Sequence, residues 1–306
     1  MKKIAELFRE IVPASKVTEG ADMARLVTFR AGGRAEILVE PENPQQLQKV
    51  LEIINREKID YFVMGNGSNL LVKDGGYPGV IIKISGQALK SVDVEPDGIS
   101  VRVGGGVLMG SFAGFLKKNG LSGFEFAAGI PGTIGGAVFM NAGAYGGEIK
   151  DVLVSAKLLS RNGEKVFELS GDELELTYRH SILHDTGDIV LEALFKFEKG
   201  DPEKIQEKMD ENNASRRAKQ PLNYPNAGST FKRPDGYIAA KLIQDAGLKG
   251  FSVGNAQVSE LHSGFVVNKG GASASDILEV MSHCKEVVKA EFGVVLEPEV
   301  QILGVD

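Results

Sequence analysis

The sequence lacks the residues on which several classes of protein depend. It contains a single cysteine, Cys284, and no tryptophan. One cysteine cannot close an internal disulfide, which excludes a disulfide-stabilised scaffold and indicates a reducing compartment. His180 and His184 lie four residues apart but have no partner cluster with metal-ligand spacing, so we predict no metal site.

The chain also lacks an excess of positive charge and a long apolar run. Its 35 Lys and Arg residues are outnumbered by 41 Asp and Glu residues, for a net charge of −6. This balance argues against a nucleic-acid binder, although it is compatible with a local basic pocket for an anionic small molecule. No run approaches the ~20 apolar residues of a membrane span, and the first residues show no apolar signal segment. We therefore expect a soluble, cytoplasmic protein without nucleic-acid or membrane partners.

Glycine is what the sequence has in excess, with 38 among 306 residues. No G-X-Y period is present, which excludes collagen. A globular chain with so many glycines has many positions that need a positive φ or a close approach to a ligand. The hydrophobic share of 42% is enough for a core, and the length suits two domains.

The apolar pattern predicts a mixture of helices and strands, with a linker at residues 199–202 where Gly, Asp and Pro coincide. The predicted helices are 1–26, 44–58, 107–119, 203–217, 237–246 and 275–291. The predicted strands are 27–29, 37–39, 61–64, 70–72, 80–84, 100–103, 152–160 and 189–197.

The first candidate site is the loop Gly65-Asn66-Gly67-Ser68-Asn69, which follows a predicted strand. A glycine-rich loop in this place exposes successive backbone N–H groups that can surround phosphate oxygens. It is not the dinucleotide-binding fingerprint, because Leu70 stands where a third glycine is needed and a strand follows. Taken alone, the loop is equally consistent with an ordinary turn between strands.

The second candidate site is denser in glycine and small residues. It comprises Gly129, Ile130, Pro131, Gly132, Thr133, Gly135, Gly136, Asn141, Gly143 and Ala144. So little side-chain bulk allows a flat ring or a pyrophosphate to lie against the backbone. A packed crossing of elements is the structural alternative, whereas Walker A and kinase spacings are absent.

Charged and hydroxyl residues mark two further segments. Arg179, after Tyr178, is a permanent planar cation suited to a carboxylate, although a structural arginine is the commoner case. Five cations in an acidic chain could hold a diphosphate; they are Arg216, Arg217, Lys219, Lys232 and Arg233. Gly228 would place Ser229 on an exposed bend, and the absence of a Gly-x-Ser-x-Gly elbow argues against a hydrolase.

Two carboxylates near the end of the sequence complete the candidates. Glu297 and Glu299 lie in an extended run and would share a face, although Pro298 argues against an inner strand.

In order along the chain, these motifs resemble the UDP-N-acetylenolpyruvoylglucosamine reductases, a family of bacterial cell-wall flavoenzymes also called UDP-N-acetylmuramate dehydrogenases. The resemblance spans residues 28–304 and is carried by 65–72, 129–136, 178–179, 227–232 and 299–300. It implies an α+β fold, with a two-lobed FAD-binding domain of the vanillyl-alcohol-oxidase type over residues 1–200. The lobes would divide near 90–100, and a smaller α+β substrate-binding domain would cover 201–306. The length suits the compact subtype of the family.

The resemblance also implies the chemistry and the roles of residues. NADPH would reduce a non-covalently bound FAD, which would then reduce the enolpyruvyl ether of UDP-N-acetylglucosamine for peptidoglycan synthesis, and hence for cell shape and division. Both glycine-rich segments would bind FAD. Arg179 and Glu299 would stabilise charge on the substrate carboxylate, and Ser229 would protonate the neighbouring carbon. The substrate would be bound by Tyr178, Lys232 and His262. Choosing Glu299 over Glu297 rests on the family pattern.

Two other interpretations stay open at this point. A related flavin oxidase would act on an alcohol or sugar, but such enzymes commonly tether the flavin through His or Cys, and neither glycine-rich segment contains one. A nucleotide-sugar sensor could keep the pocket without catalysis, and the joint presence of Arg179, Ser229 and Glu299 argues against it.

Overall fold

The computed structural model describes all 306 residues, and they form eight α-helices and eighteen strands. The helices are α1 (Lys2–Arg9), α2 (Pro44–Glu57), α3 (Met109–Lys118), α4 (Ile134–Phe139), α5 (Leu183–Thr186), α6 (Pro202–Lys219), α7 (Ala239–Asp245) and α8 (Ala274–Phe292). The strands are β1 (Val17–Asp22), β2 (Arg34–Val39), β3 (Tyr61–Met64), β4 (Leu70–Val72), β5 (Tyr77–Lys83), β6 (Val92–Val94), β7 (Ser100–Gly104), β8 (Leu121–Ser122), β9 (Gly143–Ala144), β10 (Gly147–Glu148), β11 (Leu153–Leu159), β12 (Val166–Ser170), β13 (Ile189–Lys196), β14 (Glu198–Lys199), β15 (Ser252–Val253), β16 (Ala256–Val258), β17 (Val266–Asn268) and β18 (Gln301–Leu303). No helix combines the length and the hydropathy that a bilayer crossing needs.

The chain divides into two compact units, and each is built from separate stretches of sequence. Unit 1 comprises residues 1–19, 37–66 and 79–215, and unit 2 comprises 20–36, 67–78 and 216–306. The domain limits 1–200 and 201–306 stay a prediction.

The first sheet has the strand order β1–β2–β5–β3, and its β3 and β5 pair in parallel from Tyr61↔Val80 to Met64↔Lys83. Within unit 1, α2 covers this sheet with Leu47, Val50, Leu51 and Ile54, which recur at helical spacing and are almost fully buried. The Asn43 side chain caps the start of the helix by accepting from the Gln46 N–H, and Pro44 occupies the first helical position.

A second sheet of unit 1 is antiparallel, in the order β12–β11–β13–β7–β6. The α3 and α4 helices pack on it around a core rich in phenylalanine. Phe112 and Phe124 meet edge to face with ring centroids 5.1 Å apart, and Phe195 lies 5.5 Å from Phe112. The glycine-rich segment is attached to this sheet, because α4 lies within that segment and packs on β13.

Unit 2 contains the antiparallel sheet β15–β16–β17 and a parallel pair of β4 with β18. The long α8 packs on the three-stranded sheet with a buried face that includes Ile277, Met281, Cys284 and Val288. A capping box of Ser273 and Asp276 begins α8.

Most predicted elements are confirmed within a few residues, and the N-terminal region is the exception. The predicted helix over 1–26 ends at Arg9, and residues 17–22 form β1. The predicted strand 27–29 is wrong, because the N–H groups of Val27 and Arg30 donate to carbonyls three or four residues earlier in a turn. Val27 and Phe29 are nevertheless buried on either side of a half-buried Thr28, and this alternation imitates a strand.

Candidate active site

In unit 1, the first two residues of the first candidate loop, Gly65 and Asn66, contact the glycine-rich segment. A Cβ atom at Gly65 would overlap the hydroxyl of Thr133, so only glycine allows this approach. The side-chain amide of Asn66 donates to the carbonyl of Pro131 at 2.6 Å. The structure therefore brings together two segments that the sequence predicted separately to bind a cofactor.

The glycine-rich segment uses only some of its backbone donors for hydrogen bonds within the fold. The N–H groups of Ile134 and Gly135 donate to the carbonyls of Val107 and Gly105, each at 2.8 Å. By contrast, no hydrogen bond within the chain uses the N–H of Gly129, Gly132 or Thr133. These three donors remain for a ligand, as a phosphate-binding loop requires.

Asn141 lies fully buried just after α4, and the fold uses its whole side chain. Its amide nitrogen donates to Glu148 Oε2 and to the carbonyl of Thr177, both at 2.9 Å. Its amide oxygen accepts from the Lys150 N–H at 3.0 Å. Gly143 and Ala144 follow in the β9–β10 hairpin. Cofactor binding by these three residues stays a prediction. The Asn141 side chain has no polar atom left for a cofactor, because all of them are hydrogen-bonded within the chain.

Arg179 lies in a two-residue turn of unit 1 with an unusual backbone conformation. Thr177 and His180 exchange backbone hydrogen bonds of 3.1 and 3.2 Å, which leaves Tyr178 and Arg179 at the tip. Arg179 has φ +56°, in the left-handed region that favours glycine. Its guanidinium lies 4.9 Å from the centroid of the Tyr178 ring and donates to the Gly143 carbonyl at 3.3 Å. The guanidinium is therefore oriented by neighbours from two sides.

In unit 2, the rest of the first loop contacts the C-terminal segment. The side-chain amide of Asn69 donates to the carbonyl of Glu299 at 3.0 Å, and its own carbonyl accepts from the Gln301 N–H. Gly67 has φ +63°, and its carbonyl accepts from the Thr28 N–H. Ser68 accepts more weakly through its carbonyl, from the Thr28 hydroxyl at 3.5 Å.

Ser229 is an exposed residue next to a firmly anchored one. Gly228 precedes it at φ +79°, in a turn closed by the Asn226 side chain. Thr230 follows, almost fully buried, and its hydroxyl accepts from the Val266 N–H at 2.9 Å. The Thr230 carbonyl accepts from the Glu299 N–H at 2.9 Å. Ser229 and Glu299 thus stand on neighbouring backbone segments of unit 2.

The two candidate glutamates have different surroundings. Glu297 is exposed, and its carboxylate lies 3.9 Å from the Lys232 ammonium group. Glu299 is half-buried, and both of its backbone polar groups are hydrogen-bonded, to Thr230 and Asn69. The Glu297 backbone is anchored as well, since its carbonyl accepts from the Lys232 N–H at 2.8 Å, so the two glutamates differ in exposure and in the partner of the carboxylate. The choice of Glu299 over Glu297 stays a prediction.

His262 lies in a tight turn of the same unit. Its Nδ1 accepts from the Gly264 N–H at 3.2 Å, and its ring meets Phe265 edge to face. Burial, with a smaller contribution from the charge of Lys249, lowers the pKa of His262 below 6.5. The imidazole is therefore neutral at physiological pH and can donate from Nε2.

Two residues that sequence reasoning missed support the candidates. Thr230 connects Ser229 to Glu299, and Glu148 contacts Asn141. Each looks unremarkable in the sequence, because its importance comes from partners far along the chain. His180 and His184 stack on one another with ring centroids 4.9 Å apart.

Comparison with known proteins decides the family. A profile described as an FAD binding domain matches residues 35–168, and one described as the UDP-N-acetylenolpyruvoylglucosamine reductase C-terminal domain matches 220–303. The UDP-N-acetylenolpyruvoylglucosamine reductase of Clostridium perfringens strain SM101 is 48% identical over 301 residues, which are 98% of this chain and 97% of that protein. The chain belongs to the UDP-N-acetylenolpyruvoylglucosamine reductase family.

Comparison with solved structures supports the same family. The UDP-N-acetylenolpyruvylglucosamine reductase of Thermus caldophilus has a TM-score of 0.79 and 34% identity, covering 92% of this chain and 97% of that one. Phl p 4.0202, a glucose dehydrogenase, has a TM-score of 0.51 at 15% identity over 65% of this chain and 44% of its own, a likeness of fold alone. The predicted family and α+β fold class are confirmed, and the chain is an FAD oxidoreductase of this reductase family.

The residues of unit 1 fit such a cofactor. The glycine-rich segment offers the three unused N–H groups of Gly129, Gly132 and Thr133 to anionic oxygens. Gly65 keeps the neighbouring loop close to Thr133, where any side chain would force the two apart. These residues would hold the phosphates of FAD.

Proposed function

We propose that this chain reduces the enolpyruvyl ether of UDP-N-acetylglucosamine to UDP-N-acetylmuramate, a peptidoglycan precursor, with NADPH as the electron donor. The observation that carries the proposal is the 48% identity, over 98% of the chain, to a protein named as this reductase. Contributions to cell shape and division follow from that product. The cytoplasmic location expected from the sequence stays a prediction.

The two glycine-rich segments would hold FAD without a covalent bond, and bound FAD would supply the hydride chemistry between NADPH and the terminal carbon of the enolpyruvyl group. The adjacent carbon then needs a proton, and Ser229 is proposed to donate it from its exposed hydroxyl. A serine is a weak acid, so it protonates carbon only when it is held in place. The buried, hydrogen-bonded Thr230 beside it supports that role.

The reduction builds negative charge into the substrate carboxylate, and Arg179 and Glu299 are proposed to stabilise it. The Arg179 guanidinium is a permanent cation with a planar array of donors that matches a carboxylate. Glu299 helps either as a protonated donor or through a bridging cation, because an ionised carboxylate alone would repel the charge.

Tyr178, Lys232 and His262 are proposed to bind the UDP and sugar portions. The Lys232 ammonium group has only a distant exposed partner, Glu297, which a phosphate could displace. The lowered pKa of His262 makes it a neutral hydrogen-bonding group instead of a second cation.

Anaerobic half-reactions test the proposal. The purified protein should be yellow, bleach on addition of NADPH, and recover its colour with the enolpyruvyl sugar. Ser229→Ala should bleach normally but recover at least about 100-fold more slowly, the usual loss on removing a general acid. Ser282→Ala, on the exposed side of α8, is the matched control and should behave as the unaltered protein.

Two results would contradict the proposal. Equal recovery in the Ser229→Ala variant and the unaltered protein would remove Ser229 from the mechanism. Flavin that stays attached to the denatured chain in mass spectrometry, together with no recovery by the enolpyruvyl sugar, would favour a covalent flavin oxidase instead.

A further inference from the structure

We propose that Asn141 and Glu148 are positioning residues for Arg179, an inference that rests on the charge-stabilising role proposed above for Arg179. All three belong to unit 1. Asn141 and Glu148 would act by fixing the turn and the guanidinium through hydrogen bonds and charge, without touching substrate or cofactor.

The Arg179 turn requires outside support because its backbone is unfavourable. A non-glycine residue at φ +56° persists only where surrounding contacts determine it. The backbone bonds between Thr177 and His180 close the turn but do not attach it to the rest of the unit. Asn141 provides one attachment through its amide, which donates to the Thr177 carbonyl at 2.9 Å, and the buried Ser181 hydroxyl after the turn provides another by donating to the Phe139 carbonyl at 2.7 Å.

Asn141 is well suited to anchoring, since its side chain is completely buried and completely hydrogen-bonded. One amide hydrogen goes to Thr177 and the other to Glu148 Oε2, while the amide oxygen accepts from the Lys150 N–H. Its own φ of +41° is one that asparagine tolerates better than most residues. Only an amide at this place can donate twice and accept once.

Glu148 supplies the negative charge of the arrangement. Its Oε2 lies 2.9 Å from the Asn141 amide and 3.0 Å from the Lys150 ammonium group. Burial acts to raise the Glu148 pKa, but the bonds from Lys150 and Asn141 and the charges of Lys150 and Arg179 lower it below its ordinary value. Glu148 is therefore ionised at neutral pH, and its field favours the Arg179 guanidinium.

Gly143 contacts both Glu148 and Arg179. It pairs with Glu148 in the β9–β10 hairpin, and a Cβ atom at Gly143 would overlap the Glu148 side chain at 2.7 Å. The Gly143 carbonyl meanwhile accepts from Arg179 Nη2 at 3.3 Å. Asn141, Gly143 and Glu148 thus form one support that contacts both the backbone and the side chain of the Arg179 turn.

The test uses Asn141→Asp, which keeps the shape and the tolerated backbone but cannot make both donations, even when it is protonated beside Glu148. In the flavin-loaded protein, we expect reoxidation by the enolpyruvyl sugar to slow by about 10- to 100-fold, as is usual when the partner that orients a functional group is lost. Combining Asn141→Asp with Arg179→Lys should slow reoxidation no further than Arg179→Lys alone, within about twofold. Asn213→Asp, on α6, controls for the added charge.

Two readouts separate this role from a cofactor contact and from general damage. The dissociation constant of FAD, measured by flavin fluorescence on the apoprotein, should stay within about twofold of the unaltered value. The Arg179 Nε–Hε resonance in NMR spectra, assigned by its absence in Arg179→Lys, should shift in Asn141→Asp. If Asn141→Asp fails to fold, Glu148→Gln should show the same resonance shift and the same non-additivity with Arg179→Lys.

The opposite outcomes would overturn the proposal. If the rate losses of the two single variants multiply in the double variant, Asn141 acts independently of Arg179. If FAD binds more weakly while the bound flavin reoxidises normally, Asn141 is a cofactor-binding residue. If Arg179→Lys itself reoxidises normally, the role proposed for Arg179 is wrong. In that case the Arg179 Nε–Hε resonance is the only test of whether Asn141 positions Arg179. An unchanged resonance in Asn141→Asp would refute that role.

Discussion

The side-chain amide of Asn69 donates to the backbone carbonyl of Glu299 across 3.0 Å, although 230 positions separate the two residues. The carbonyl of Asn69 accepts from the N–H of Gln301, so the loop holds the C-terminal segment at two points. Thr230 holds the Glu299 N–H from the other direction. A loop that the sequence predicts to bind a cofactor therefore also fixes the backbone of a proposed catalytic residue.

We predict that Asn69→Asp weakens this attachment. An ionised carboxylate cannot donate to the Glu299 carbonyl and repels it, so the free energy of unfolding should fall by about 1–3 kcal/mol. Urea unfolding at neutral pH measures the change. Asn223→Asp, at an exposed position of unit 2, is the control and should leave stability nearly unchanged. A stable Asn69→Asp protein with full reductase activity would show that the hydrogen bond is dispensable.

Gly65→Ala should separate the first loop from the glycine-rich segment. The new methyl group would overlap the Thr133 side chain, so that side chain or one of the two backbones must shift. We expect weaker FAD binding, seen as a lower flavin-to-protein absorbance ratio after gel filtration, and a loss of about 1–3 kcal/mol of stability from overpacking.

Gly114→Ala provides the matched comparison for that change. Gly114 lies within α3 and a Cβ atom there would meet nothing within 4 Å. Alanine should therefore stabilise the helix by about 0.5–1 kcal/mol and leave flavin content unaltered. Retention of flavin by Gly65→Ala at the level of Gly114→Ala would contradict the close approach of the two segments.

The hydrogen bonds of the Asp74 carboxylate should make the stability of unit 2 depend on pH. Its carboxylate accepts from the N–H groups of Ala274 and Ser275 and from the Ser275 hydroxyl, at the start of α8. Burial acts to raise the pKa of Asp74, but these hydrogen bonds lower it below its ordinary value of 3.8. A lowered folded-state pKa gives stability that is complete above 3.8 and is lost as the pH falls through the lowered pKa.

The expected result is a difference that depends on pH. Asp74→Asn should be less stable than the unaltered protein by about 1 kcal/mol near pH 7, as for the loss of a helix cap. The difference should shrink below about pH 4, where the unaltered carboxylate also becomes protonated. Thermal unfolding across that range measures it, and a constant difference would indicate a contribution unrelated to ionisation.

Cys284 should report on the unfolding of α8. It is the single cysteine of the chain, fully buried, and burial raises the pKa of its thiol to about 12. The thiolate that alkylating reagents need is therefore scarce in the folded protein. We expect no labelling by iodoacetamide under native conditions and complete labelling in denaturant, measured by mass spectrometry. Rapid native labelling would reveal that α8 opens readily.

The sequence predicts the regular elements of this fold well where the apolar spacing is strong. Helix α2 is the clearest case, since Asn43 and Pro44 mark its start and its buried residues keep helical spacing. The spacing cannot say which distant segments share a unit. Residues 20–36 and 67–78 belong with the C-terminal part of the chain, and nothing in their local composition indicates that.

The candidate site shows the same limit. Glycine excess and the order of motifs suffice to indicate the family, but the partners of each residue depend on tertiary contacts. The sequence predicts Asn141 and Asn69 as cofactor contacts, which stays a prediction, and the structure adds that the side chain of each is bonded to a proposed catalytic segment. That distinction requires knowing what lies 36 or 230 residues away.

The parallel pairing of β4 with β18 has a consequence for synthesis on the ribosome. Residues 70–72 emerge early, yet their partner strand is made from residues 301–303. At roughly 5–20 residues per second, the nascent strand waits on the order of ten to fifty seconds for its partner. Throughout that interval the apolar Leu70, Leu71 and Val72 are open to chaperones and to misassembly, so unit 2 can be completed only once residues 301–303 have been made.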